Sequence, residues 1–238
     1  MQDETSITRR YQSNEYLRHN PTWDSEDAPW KAGLVLDLLR AHGLQPRRMA
    51  DVGCGSGAVL RTLQRTFPEA VLDGFDVSPD ARRFWSDASM PNLRFRIGDF
   101  FGLAQPGYDL VLALDVVEHL PNPFEFLERL RSYATYHVFH FPLDLSAVTV
   151  LRETPLLLAR RKVGHVNYYT KGLVLALLEE CGYQVIEARY TGAALGAPRR
   201  GWRTRVASVP RRIAWALNRD WGVRLLGGDT LMVLARPT

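Results

Sequence analysis

The chain has 238 residues, 46% of them apolar and 24% charged, with a formal charge of +4. That balance suits one large α/β domain, or a domain with a modest lid, able to bury a sizeable core. Its apolar runs, such as Leu110 to Leu114, are strand-sized and far short of a membrane span. Met1 to Arg10 is polar and lacks a cationic, apolar leader, and Cys54 and Cys181 read as two reduced thiols, so the expected compartment is the cytoplasm.

Tyr11, Tyr16, Trp23 and Trp30 lie in a polar, proline-containing segment. Such a segment either closes over a ligand as a flap or packs on the outside of a sheet. A helix is expected from Lys31 to Ala41. From residue 47 onward, strand-like and helix-like segments alternate, the pattern of a parallel sheet covered on both faces. Strand one is Arg48 to Gly53, followed by a glycine turn and a helix from Ala58 to Phe67 that Pro68 stops. Strand two is Val71 to Val77. Ser78-Pro79 then supplies a cap and first-turn proline for a helix to Asp87. Strand three is Leu93 to Asp99, and strand four, Tyr108 to Val116, is a nearly continuous apolar run. Pro121 to Pro123 opens a helix through Ala134, and strand five is Tyr136 to Leu143.

Leu145 to Lys162 reads as a connecting helix or loop. Thr170 caps a helix that ends at Cys181-Gly182, before strand six, Gln184 to Thr191. Strand seven, Leu231 to Arg236, follows a basic insertion over 192–229. Between Arg199 and Arg224 eight arginines stand against one acid, Asp220. That surplus suits a phosphate, a lipid head group or an acidic substrate, unless it is only a solvated face. Val209, Ile213, Leu217 and Trp221, spaced by four, predict one amphipathic helix there.

Asp51-Val52-Gly53-Cys54-Gly55-Ser56-Gly57 stands where strand one turns into a helix. Glycines there permit a tight turn and close approach of backbone to a ligand, and the helix start adds a favourable dipole. Alone, the turn also satisfies the dinucleotide fingerprint of a nicotinamide enzyme. Asp76 ends strand two, where an acid can take both ribose hydroxyls. Asp99-Phe100 ends strand three, where a carboxylate can meet an adenine amino group and a ring can stack on the base. Strand four runs into Asp115-Val116-Val117-Glu118-His119.

In order and spacing, these four motifs resemble those of the class I S-adenosylmethionine-dependent methyltransferases, most closely the small-molecule branch that includes ubiquinone-biosynthesis O-methyltransferases. The resemblance is strong over 48–143 and weaker at Gly164 to Thr170 and Gly227 to Arg236. It implies a doubly wound α/β fold with seven strands ordered 3-2-1-4-5-7-6, strand seven antiparallel, a helical N-terminal flap and a helical insertion between strands six and seven. One domain over 1–238 is expected: flap and helix to residue 46, a cofactor half over 47–143, and a substrate side over 144–238.

The resemblance also assigns roles. Asp51, Gly53, Cys54, Gly55 and Gly57 would hold the methionine end of S-adenosylmethionine, with Asp51 on its ammonium. Asp76 would take the ribose hydroxyls with Val77 against the adenine, and Asp99 would meet the adenine amino group with Phe100 beside it. Backbone at Leu114 and Asp115 would face the methionine moiety.

The expected activity is methyl transfer to a small-molecule, lipid-linked or sugar-linked acceptor, at a hydroxyl. Such a displacement needs alignment and a base. His119 is the candidate base, against a plainer role in holding its turn, and His140 and His165 are further candidates. Asp115, Glu118 and His119, at i, i+3 and i+4, converge on a helical turn and suggest a divalent ion. The same Glu-His pair is common in metal-free relatives, so no metal is expected. A nicotinamide oxidoreductase leaves Asp99-Phe100 and the strand-four run unexplained. An RNA or DNA base methyltransferase would carry an Asn- or Asp-Pro-Pro-aromatic run where Leu114-Asp115-Val116-Val117 stands. A non-catalytic cofactor-binding partner of another enzyme stays open. Nucleic acid is therefore not an expected partner, whereas an anionic lipid surface touched through Arg199 to Arg224 is compatible with the charge.

Overall fold

The structure, a computed structural model, describes residues 22–23, 25–85, 90–193 and 209–238, without the side chain of Val209. Tyr11, Tyr16, Asp87 and Arg199, Arg200, Arg203 and Arg205 lie outside the described residues. Chain order is α1 (Ala28–Ala41), β1 (Arg48–Val52), α2 (Ala58–Thr66), β2 (Val71–Asp76), β3 (Leu93–Ile97), α3 (Phe100–Leu103), β4 (Tyr108–Leu114), α4 (Pro123–Leu130) and β5 (Ala134–Pro142). Then come α5 (Ala147–Arg152), α6 (Thr154–Lys162), α7 (Lys171–Glu180), β6 (Tyr183–Tyr190), α8 (Val209–Leu217), α9 (Arg219–Leu226) and β7 (Thr230–Pro237).

The strands form one sheet in the order β3-β2-β1-β4-β5-β7-β6. β1 to β5 run parallel, while β7 pairs antiparallel with both β5 and β6. This is the expected class I methyltransferase layout. The chain order reverses between β1 and β4, and a crevice opens at the strand ends beside such a switch point. Leu110 to Leu114 lies buried in the middle because both faces of β4 are covered. On one face Val35, Leu39, Leu60 and Leu63 of α1 and α2 pack against Met49, Leu112 and Leu234. On the other, Leu127, Leu130, Val174 and Leu178 of α4 and α7 pack against Val111, Phe139 and Val233. Each such fully buried side chain contributes roughly 1.5–3 kcal/mol.

Caps fall where the sequence puts polar residues. Asn122 accepts the Glu125 N–H at 3.2 Å before Pro123 opens α4. Ser146 and Thr149 close a reciprocal box at the start of α5, and Thr170 accepts the Leu173 N–H at the start of α7. Two expectations fail. The helix after Ser78-Pro79 is a 3-10 helix, Pro79–Phe84, and the Ser78 side chain makes no cap hydrogen bond to it. The basic insertion is not one amphipathic helix: Asn218 accepts the Trp221 N–H at 3.0 Å and starts α9, which breaks the phase of the four-residue stripe. Ile213, Leu217 and Trp221 are therefore exposed, while Trp215 and Val223 turn inward. No described helix is long and apolar enough to cross a membrane.

Candidate functional site

The turn after β1 holds Gly53 at φ +70°, Gly55 at +53° and Gly57 at +71°, conformations that cost other residues about 1–2 kcal/mol each. Backbone N–H groups of Gly53 and Cys54 donate to the Phe75 carbonyl at 2.8 and 3.0 Å, tying the turn to β2. Asp76 locks it further. One of its carboxylate oxygens accepts the Gly55 N–H and the other the Ser78 N–H, each at 2.8 Å. The Trp85 indole donates to the Gly55 carbonyl at 2.9 Å.

Asp51, Gly53, Cys54, Gly55, Leu114 and Asp115 line one cleft, partly open to solvent. Lys31 and Trp23 complete its wall. Trp23 covers Gly55 closely: a Cβ there would lie 2.7 Å from the indole. Gly57 instead starts α2, against the Phe95 ring. Asp51 is 3% exposed, and burial, reinforced by the charge of Asp76 and partly offset by Lys31, pushes its carboxyl up to about 8. A buried acid poised in this way favours a cationic ligand group.

Asp115 follows β4 at φ +56°. One carboxylate oxygen meets His140 Nδ1 and the other Lys31 Nζ, each at 2.7 Å. Burial alone would raise this carboxyl; His140 and Lys31 outweigh it and hold Asp115 well below the usual range. His140 Nε2 lies 2.7 Å from the Thr230 hydroxyl, so both of its ring nitrogens are engaged.

Lys31 was legible only as the first residue of an expected helix. Nothing local in the sequence marks it as the partner of Asp115.

The remaining candidates separate. Val77 is 45% exposed beyond the end of β2 and Asp99 is exposed beyond β3. Phe100 overturns its expected place beside a base. Its ring is 2% exposed in the core, 5.1 Å from Phe75 and edge-on to it. Asp115 also leaves the expected trio with Glu118 and His119. It precedes a short 3-10 turn, Val117–His119, so helical spacing does not apply and its carboxylate turns to Lys31 and His140.

His119 instead meets His165, ring centroids 5.0 Å apart, and Glu118, at 3.9 Å from Nε2. Burial, and then the neighbouring His165, lower the His119 imidazole to about 4, so it is neutral near pH 7. His165 Nδ1 bonds Asp144 at 2.6 Å.

Residues 50–135 match a family model described as a methyltransferase domain. A malonyl-[acyl-carrier protein] O-methyltransferase of Halalkalibacterium halodurans is 31% identical over 139 residues, covering 55% of this chain and 51% of that protein. A trans-aconitate 2-methyltransferase of Mycobacterium sp. (strain KMS) is 35% identical over 95 residues, 39% of this chain and 36% of that protein. The chain thus spans about half the length of the first relative and about a third of the second. Among solved structures, the magnesium protoporphyrin IX methyltransferase of Synechocystis PCC 6803 with bound SAH superposes with TM-score 0.66 at 16% identity, covering 99% of this chain and 100% of that one. That likeness is one of fold.

Proposed function

We propose that this chain, which carries a class I S-adenosylmethionine-dependent methyltransferase domain, transfers a methyl group from S-adenosylmethionine to a small-molecule, lipid-linked or sugar-linked acceptor, at a hydroxyl oxygen. The observation that carries the reading is the single cleft in which buried Asp51, left-handed Gly53 and Gly55, and the end of β4 come together. When bound, S-adenosylmethionine supplies an electrophilic methyl on a sulfonium.

The chain's own residues do the rest. Asp51 ionises against the ammonium group. Asp76 offers the ribose its lone pairs beyond the two that already fix the turn. Val77 packs on the adenine and Asp99 accepts its amino group. Backbone at Leu114 and Asp115 orients the methionine end, and the tie from Asp115 to Lys31 and His140 keeps that end rigid.

The acceptor's proton is assigned to His119, in the turn after β4 and beside His165. An oxygen acceptor is supported by the name of the malonyl-carrier relative, an O-methyltransferase. An anionic portion of the acceptor suits Arg211, Arg212 and Arg224 on α8 and α9.

Calorimetry with S-adenosylhomocysteine tests the cleft, and transfer of labelled methyl to a panel of hydroxyl and carboxyl compounds tests the reaction. Asp76→Ala should weaken binding by roughly 1.5–3 kcal/mol, the scale of charge-assisted hydrogen bonds. Failure of the wild-type protein to bind the nucleoside at all would overturn the reading.

A further inference from the structure

We propose that a recess between α7, α9 and the end of β6 binds the anionic end, a carboxylate or a phosphate, of an elongated acceptor with an apolar body. Leu175 and Val223 give the recess apolar walls, and Lys171, Tyr190, Asp220 and Arg224 supply its polar lining. That combination, apolar walls with a few convergent polar groups, is what a small-molecule site requires.

The polar groups are already arranged around an anion. Lys171 Nζ and the Tyr190 hydroxyl both donate to one oxygen, Asp220 Oδ1, at 3.1 and 2.6 Å. These two bonds, Tyr190 first, hold the Asp220 carboxyl below its usual range, so it stands as a charged acceptor. Its side chain is 58% exposed, and it can turn to water without opening the core. Arg224, one turn further along α9, adds a second cation, and Asp220 is the one acid among the lining residues. Arg219 does not compete, because buried Asp229 takes its guanidinium at 2.7 Å. An incoming carboxylate or phosphate therefore finds two convergent donors and a surplus of positive charge, beside apolar walls that strengthen the pairing.

The recess stands at the right edge of the sheet. β7 is antiparallel to both β5 and β6, so β6 runs parallel to β5 and Tyr190 ends on the same edge as β4. In the order β4-β5-β7-β6, three strand spacings, roughly 14 Å, separate the two strand ends. One segment joins them. His165 meets His119, the Val166 N–H donates to the Glu118 carbonyl at 2.9 Å, and Lys171 meets Asp220. An acceptor laid along this segment places its hydroxyl by His119 and its anion in the recess. That use of the recess rests on the proposed methyl transfer; binding of an anion there does not.

The test needs no methyl donor. The full chain, labelled at leucine and valine methyls, is titrated at low salt with hexanoate, hexyl phosphate and acetate, and separately with S-adenosylhomocysteine. The Leu175 and Val223 methyl signals should shift and saturate with millimolar hexanoate or hexyl phosphate. Hexanoate should bind at least about tenfold more tightly than acetate, because its stem reaches the apolar walls. The tighter of the two hexyl compounds identifies the head group. Lys171→Ala and Arg224→Gln should each weaken binding by about fivefold, and Asp220→Asn, which removes the internal competitor, should tighten it by about threefold. If Lys171→Ala fails to fold, the two variants at exposed positions decide. Absence of a saturable shift at these methyls, equal affinity for hexanoate and acetate, or affinity unchanged in both Arg224→Gln and Asp220→Asn would each overturn the site. Failure to bind S-adenosylhomocysteine, with the anion titrations as expected, would overturn the proposed reaction and leave the recess standing.

Discussion

Asp115 Oδ1 and His140 Nδ1 stand 2.7 Å apart, joining the ends of adjacent strands β4 and β5, whose backbones also pair through the Asp115 N–H and the His140 carbonyl at 3.1 Å. Lys31 takes the other Asp115 oxygen, so one carboxylate fastens α1, β4 and β5 at the mouth of the cleft. Asp115→Asn keeps a side chain that tolerates positive φ but removes the charge. A quarter of the side chain is exposed and solvent screens the pairs, so a loss of about 1–2 kcal/mol is expected at pH 7. The folded-state carboxyl is depressed, so its contribution is present above about pH 4 and fades as the pH falls further. Denaturant melts at pH 7 and pH 3 should show the gap between wild type and variant narrowing. A gap of the same size at both would assign the effect to packing.

Asp51 works in the opposite direction. Its carboxyl, raised to about 8 by burial and by Asp76, keeps a proton that the unfolded chain releases near pH 4. The stability it gives is therefore fully present below about pH 4 and is lost as the pH rises through 8. A ligand bearing an ammonium group pulls that proton off. At pH 7, calorimetry with S-adenosylhomocysteine in buffers of different ionisation enthalpy should report release of about 0.9 proton per ligand, the fraction still bound at one unit below that pKa. Asp51→Asn should release almost none and bind more weakly by roughly 1.5–3 kcal/mol. Proton release equal in both proteins would move the linkage to another group.

Gly55 and Trp23 should be energetically coupled. A Cβ on Gly55 meets the indole at 2.7 Å on a backbone already at φ +53°. Gly55→Ala combines strain with overpacking and should cost about 2–4 kcal/mol. In a Trp23→Ala background the overpacking vanishes and about 1–2 kcal/mol of strain should remain. Strictly additive losses in the double-mutant cycle would mean that the indole does not rest on the turn in solution.

Much of this architecture was legible because local rules and tertiary structure agree. The apolar run of β4, the glycine turn at left-handed φ and the polar caps at Asn122 and Thr170 each state their role within a few residues. Misreadings arose where a helical period was assumed and a cap or kink intervened. Asn218 restarts the helix and sends Ile213 and Leu217 to solvent, and the positive φ of Asp115 takes it out of register with Glu118. The pairing of Lys31 with Asp115, and the meeting of His165 with His119, join distant segments that carry no shared local pattern. Only the assembled sheet reveals them.

Phe100 tests the difference between a motif position and its structural use. Its neighbour Asp99 is exposed at the end of β3, but the Phe100 ring points into the core against Phe75 and Tyr133, with centroids 5.1 and 4.9 Å away. Deleting it leaves a cavity under the sheet's edge rather than a gap in the ligand site. Phe100→Ala should therefore cost about 3–5 kcal/mol in denaturant unfolding, as buried aromatic deletions do. Affinity for S-adenosylhomocysteine, measured at a temperature where the variant is folded, should change by less than about twofold, since the lost ring lies buried in the core. Asp99→Ala should reverse the pattern, with stability within about 0.5 kcal/mol and affinity reduced. A Phe100 variant that stays stable yet binds the nucleoside many-fold more weakly would return the ring to the adenine.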